Sequence, residues 1–271
     1  MGGMNNPKKS FHESSFGELA CTVVDGSDQP WLPVILCHGY GAPGDDLVGL
    51  TDYLIDKLGD AAKAVRFVYP VAPGDLADQG MPGGRAWWPL NMASLQQLLQ
   101  TSQFDQLHDQ TPPGIETASG QLVSVVQSVL NNMPADPPAC SGSPSMGGET
   151  SRPYVLGGFS QGAMVTMNTA LTGDIPPPDV LVQFSGTLVC GPQWIDAASK
   201  SGSGRLKATR VLQSHGTQDQ ILPFSSAATL ADTLHEEALE WEFRAFQGPH
   251  TIEAGTLDHL AQWILDLTDR K

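Results

Sequence analysis

The sequence predicts an α/β fold, a mostly parallel central sheet covered by helices on both faces. Short apolar runs alternate with stretches whose apolar residues recur at helical spacing, such as Leu122, Val123, Val125, Val126, Val129 and Leu130, or Leu257, Leu260, Trp263, Ile264 and Leu267. No internal repeat appears at solenoid periods. With 271 residues the chain can bury a sizeable core, and α/β folds of roughly 200–250 residues commonly form one domain. A single domain over residues 1–271 is therefore expected.

The elements follow in order. The polar start, residues 1–16, reads as frayed, and the first strand begins near Leu19 and runs to Val24. Pro33, Val34, Ile35, Leu36 and Cys37 form an apolar run that enters His38-Gly39-Tyr40-Gly41. After the helical stripe that ends near Asn131, residues 134–152 are rich in Pro, Gly and Ser and read as a flexible inserted loop. This connection enters the next strand at the end opposite the catalytic loops. Tyr154, Val155 and Leu156 open that strand. Further strands are expected over residues 209–214 and 240–246, separated by a helix over 225–239. The last helix carries the apolar stripe from Leu257 to Leu267.

One turn carries chemistry. In Gly158-Phe159-Ser160-Gln161-Gly162 a serine stands between two glycines, at G-x-S-x-G spacing, where an apolar strand gives way to a helix. A chain that reverses this sharply needs small residues two before and two after the serine, because side chains there would meet neighbouring backbone. The strained turn lifts the hydroxyl out of the sheet.

A serine hydroxyl is a poor nucleophile until an imidazole takes its proton, and the imidazole needs a carboxylate to fix its tautomer. With the chain order Ser, acid, His, Asp219 and His250 fit, each just past a strand end. Asp219 lies in the polar turn 215–223. His250 follows Gln247-Gly248-Pro249. His215 precedes the acid and reads as shaping its turn. His235 and His259 fall within helical patterns, His12 and His108 within polar stretches. Asp196, Asp232, Glu236 and Glu237 lack the placement after a strand and read as solvated surface.

The oxyanion of a tetrahedral intermediate requires preorganised donors. The backbone N–H of Gln161, directly after the serine, is one. Tyr40, flanked by Gly39 and Gly41 in the loop after an early strand, is the second.

The chain resembles the phospholipase/carboxylesterase family of small α/β-hydrolases, which includes the acyl-protein thioesterases. The resemblance rests on His38-Gly39-Tyr40-Gly41, the Gly157-Gly158-Phe159-Ser160-Gln161-Gly162 elbow, His215-Gly216-Thr217-Gln218-Asp219 with Leu222-Pro223, and Gly248-Pro249-His250. It implies a Ser160, Asp219, His250 triad with Tyr40 and Gln161 as oxyanion donors. It also implies activity on esters or thioesters of small or single-chain acyl groups, without a large lid domain. Residues 81–90 resemble the family's loop beside the acyl pocket, so Trp87 or Trp88 is expected to line the groove, with Leu222 as a further substrate-binding residue. The region from Trp87-Trp88 through the glutamine-rich stretch 96–110 is unlike the compact thioesterases.

Composition narrows the partners. With 29 acidic and 14 basic residues the formal net charge is −15, which argues against nucleic acid and anionic membrane surfaces and for solubility. No apolar run reaches the ~20 residues needed to span a bilayer, and no signal-peptide core follows the first residues, so a cytoplasmic protein without stable membrane insertion is expected. Asn6 replaces the Ser or Thr of a myristoylation motif. The four cysteines, Cys21, Cys37, Cys140 and Cys190, show no paired spacing and read as thiols. Cys140 is the one expected to be exposed.

His235-Glu236-Glu237-Ala238-Leu239 lacks the second histidine of a zinc-protease helix, and no phosphate loop or dinucleotide turn is present. No metal or cofactor is expected.

The sequence thus predicts a serine esterase acting on a small-molecule ester or thioester. An acyl thioesterase or lysophospholipase is the alternative within the same chemistry, and a non-catalytic ligand-binding protein on the same fold the alternative outside it. Self-association is left open.

Overall fold

A computed structural model describes residues 10–133, 152–199 and 204–269. The strands are β1 (Ser10–Phe16), β2 (Leu19–Asp25), β3 (Leu32–Cys37), β4 (Val65–Pro70), β5 (Gly74–Asp75), β6 (Arg85–Ala86), β7 (Val155–Phe159), β8 (Val180–Phe184), β9 (Arg210–Gly216) and β10 (Glu240–Phe246). The helices are α1 (Leu50–Leu58), α2 (Met92–Gln100), α3 (Ile115–Asn131), α4 (Gln161–Thr172), α5 (Gly191–Ser199), α6 (Phe224–Leu234) and α7 (Ala254–Thr268). Eight strands form one sheet in the order β1-β2-β4-β3-β7-β8-β9-β10, and β5 and β6 form a separate two-stranded hairpin. β2 is antiparallel to β1 and β4, and every pairing from β4 to β10 is parallel.

A parallel strand covered on both faces must be apolar on both faces, and β3 is buried at every position. Alternate residues point to opposite sides. Ile35 and Cys37 join Leu156, Leu181 and Val211 beneath α3, α4 and α6, while Val34 and Leu36 join Val155, Val182 and Leu212 beneath α1 and α7. α4 is the central helix, buried from Gln161 to Leu171. Burial goes all the way round because the sheet, α3 and α5 enclose it.

β1 corrects the expectation that residues 1–16 are frayed. Residues 10–16 pair with all of β2 through a turn at Gly17-Glu18, in which Gly17 has φ 54°. The strand is polar and mostly exposed because it is an edge, held by backbone pairing more than by an apolar face; residues 1–9 lie outside the described residues. The helix expected over 225–239 ends at Leu234 and continues as a 3₁₀ turn, His235–Glu237. The expected inserted loop, apart from Arg152, and Cys140 within it lie outside the described residues. Cys21, Cys37 and Cys190 are buried free thiols.

Among the described residues, no helix is long and apolar enough to cross a membrane.

Candidate active site

Residues of interest gather where the parallel strands end. β3 delivers His38 to Gly41, β7 delivers Ser160, β9 delivers Asp219 and β10 delivers His250. Registers align these ends: Phe159 pairs with Phe184, Phe184 with Ser214, and Gly216 with Phe246. The crevice outside the carboxyl ends of such strands is where open α/β sheets bind ligands.

Ser160 has φ 56° and ψ −119°, a strained conformation for a residue with a side chain. Its N–H donates to the Phe184 carbonyl at 2.8 Å, and its own carbonyl starts α4 by accepting from Ala163 and Met164. The flanking glycines are obligatory. A Cβ on Gly162 would lie 2.1 Å from the Cys37 carbonyl oxygen, and one on Gly158 2.5 Å from the backbone of Gly162.

The Asp219 carboxylate is saturated. Oδ1 accepts from the N–H groups of Ile221 (2.8 Å) and Leu222 (2.9 Å), while Oδ2 meets His250 Nδ1 at 2.6 Å and His215 Nε2 at 3.2 Å. Burial pushes this carboxyl up, but the hydrogen bonds from His215, His250 and Leu222 outweigh it and hold the group well below the usual carboxylate range. An ionised carboxylate only accepts, so His250 Nδ1 carries a hydrogen, and in the neutral imidazole Nε2 keeps its lone pair. The His250 ring packs on Phe159, centroids 4.7 Å apart.

Two contacts position the histidine loop. Gly216 lies so close under it that a Cβ added there would stand 2.3 Å from the Gly248 carbonyl oxygen and 2.4 Å from that of Pro249. Ser185, at φ 50° just past β8, donates from Oγ to the Thr251 carbonyl at 3.1 Å.

Ser160 and His250 face a common cavity of about 450 Å³; among the described residues no hydrogen bond joins them, and this contact is often long in unliganded hydrolases. Gly39, Tyr40 and Gln161 stand at the same wall, and Tyr40 anchors its hydroxyl on Gln79 Oε1 at 2.7 Å. The Gln161 N–H is the first of α4, a donor with no carbonyl behind it in the helix, at the positive end of the dipole. The Gln161 side chain clamps the loop opposite, since Oε1 accepts from Trp87 N and Nε2 donates to the Trp88 carbonyl, each at 2.9 Å.

Trp88 and Leu222 line the cavity; Trp87 does not. The expectation for Trp87 is corrected by its packing: the indole Nε1 donates to the His38 carbonyl at 2.9 Å, and the ring sits 5.7 Å from the His38 imidazole. His38 is itself structural. Its Nε2 accepts from Ala72 N (3.0 Å) and Nδ1 donates to the Gly39 carbonyl (2.8 Å). Burial lowers its pKa below the ordinary 6.5.

The remaining cavity wall comes from residues that sequence reasoning did not assign. Leu95 and Leu98 of α2, with Phe104 and Leu107 from the 3₁₀ turn Phe104–Leu107, also line the cavity. Their signal was present, since Leu95 and Leu98 recur at helical spacing where the glutamine-rich stretch begins. Among the described residues, no group of three or more His, Cys, Asp or Glu side chains is placed to hold a metal.

A mostly parallel eight-stranded sheet covered on both faces, with an elbow after its central strand, defines an α/β-hydrolase fold. The chain belongs to the phospholipase/carboxylesterase family, which it matches over residues 20–267. It is 25% identical over 254 residues to acyl-protein thioesterase 1 of Kluyveromyces lactis, covering 91% of this chain and 96% of that one. Its fold is similar to that of esterase PE8 (TM-score 0.64, 23% identity, covering 96% and 99% of the two chains). It is also similar to acyl-protein thioesterase 2 of Zea mays (TM-score 0.63, 16% identity, 92% and 98%) and to the Bacillus cereus carboxylesterase (TM-score 0.56, 11% identity, 97% and 97%). The family is one of esterases and thioesterases.

Proposed function

We propose that the protein is a serine hydrolase that cleaves carboxylic esters of single-chain acyl groups through an acyl-enzyme. The observation that carries this is the 2.6 Å contact between Asp219 Oδ2 and His250 Nδ1 at the wall of the cavity that Ser160 shares. His250 Nε2 takes the proton of Ser160 Oγ as the oxygen attacks the acyl carbon. Asp219 stays ionised and stabilises the imidazolium. The N–H groups of Tyr40 and Gln161 receive the oxyanion. The imidazolium then protonates the leaving oxygen, and water, activated by the same imidazole, releases the acid.

The apolar wall of Trp88, Leu95, Leu98, Phe104 and Leu222 suits a flexible acyl chain, and about 450 Å³ falls within the usual range of ligand sites. A thioester substrate is the second reading, favoured by similarity to the acyl-protein thioesterases of Kluyveromyces lactis and Zea mays. The acyl-enzyme is common to both.

Hydrolysis of p-nitrophenyl esters from acetyl to palmitoyl, beside palmitoyl-CoA and a lysophospholipid, tests the proposal, with Ser160→Ala as control. Turnover that falls by about three to six orders of magnitude in the variant is expected. Comparable activity in folded Ser160→Ala would remove Ser160 from the mechanism, and no turnover of any substrate by the folded parent would favour a receptor role for the cavity.

A further inference from the structure

His215 is fully buried, is ionisable and has no role in the mechanism above. It is not among the residues that line the cavity, yet its Nε2 lies 2.8 Å from the Leu222 carbonyl and 3.2 Å from Asp219 Oδ2. Both neighbours are acceptors, so Nε2 carries a hydrogen and shares it between them. Its other nitrogen, Nδ1, is buried without a partner among the described residues. The ring is therefore held by Nε2 alone and by its edge-on contact with Phe224, centroids 6.2 Å apart.

We infer that His215 is a positioning residue, whose Nε2–H fixes the Asp219 carboxylate in the orientation that meets His250. The inference rests on the triad proposed above. A carboxylate at the end of a single χ2 rotor can turn about its axis. Oδ1 is fixed by two backbone donors of its own turn, Ile221 N and Leu222 N. Oδ2 faces His250, which comes from a different loop. The His215 bond defines Oδ2 from the side of β9, and through the Leu222 carbonyl it also braces the turn that supplies the Oδ1 donors. One N–H thus ties strand, turn and carboxylate together. A side chain that only filled space would place apolar atoms here, because a buried nitrogen without a partner costs stability; the bare Nδ1 is the cost of having Nε2 where it is.

The test uses two variants of similar length. Gln places an amide N–H as many bonds from Cα as Nε2 is, and Met fills the same space without a donor. His215→Met is expected to lower kcat by about 10–100-fold with KM changed less than threefold, because misplacing a catalytic group by about 1 Å costs on the order of a hundredfold. His215→Gln is expected to recover most of that loss. The low-field proton resonance of His250 Nδ1, read at temperatures where circular dichroism shows both variants folded, is expected to persist in the Gln variant and to broaden or move upfield in the Met variant. His215→Asn, whose amide stands in for Nδ1 instead, serves if the Met variant does not fold, and is expected to behave as Met does. Equal kcat in the Gln and Met (or Asn) variants, with an unchanged resonance, would reduce His215 to packing. Ser160→Ala, measured alongside, separates the outcomes: an active Ser160→Ala overturns the triad and this inference with it, whereas an inactive Ser160→Ala beside a fully active His215→Met overturns the inference alone.

Discussion

Gly216→Ala tests whether the loops that carry Asp219 and His250 must touch. Gly216 ends β9 three residues before Asp219, and a Cβ added to it would stand 2.3 Å from the Gly248 carbonyl oxygen and 2.4 Å from that of Pro249, where real contacts essentially never fall below 3.0 Å. Both obstacles are backbone, so no side chain can rotate away. The loops must part by at least about 0.7 Å. Pro249 precedes His250, and the movement falls on the 2.6 Å bond between His250 Nδ1 and Asp219 Oδ2, which would open to about 3.3 Å, beyond good hydrogen-bond length. A displacement of this size is expected to lower kcat on a short p-nitrophenyl ester by on the order of a hundredfold. KM is expected to stay within threefold, since neither loop carries the α2 side of the cavity. Overpacking should also cost about 1–3 kcal/mol of unfolding free energy, read from urea denaturation. A Gly216→Ala enzyme with kcat within twofold of the parent would show that the loops are compliant and that the close approach is incidental.

The two adjacent indoles should part company. Both indoles are buried, so each truncation should cost about 3–5 kcal/mol of stability. Trp88→Ala, which opens the cavity wall, is nevertheless expected to change the ratio of long-chain to acetyl ester turnover, whereas Trp87→Ala should depress all chain lengths together; identical chain-length profiles would refute the assignment. His38 predicts a pH dependence of stability. Burial holds its folded pKa below 6.5, so the unfolded chain takes up the proton first, and stability is expected to fall as pH drops below 6.5, by at most about 1.4 kcal/mol per unit, and to be unaffected by this group above it. Urea denaturation from pH 7.5 to 5 should show a shallower decline in His38→Gln, and parallel curves would dismiss the argument.

The elbow, and the placement of Asp219 and His250 just past strand ends, were legible because each depends on local chemistry. Glycines two before and two after a serine, or an acid and a histidine just past apolar runs, are short-range patterns with one physical reading. β1 was not legible, because an edge strand held by backbone hydrogen bonds needs no apolar face, and Ser10 to Ser15 therefore look like coil in composition. The stretch from Met92 to Leu107 was half-legible. Its leucines recur at helical spacing, but what they cover depends on Met164 and Val189, which lie far along the chain and join them at the same cavity.

The sequence by itself determined the class of fold and the identity and order of the residues in the proposed triad, since periodicity and turn chemistry are properties of neighbours. Only the tertiary structure decided which indole faces the cavity, how many donors converge on Asp219, and how closely the loops of Gly216 and Pro249 meet. Those facts are distances between segments brought together by strand register across β7, β8, β9 and β10, and no local pattern encodes a register.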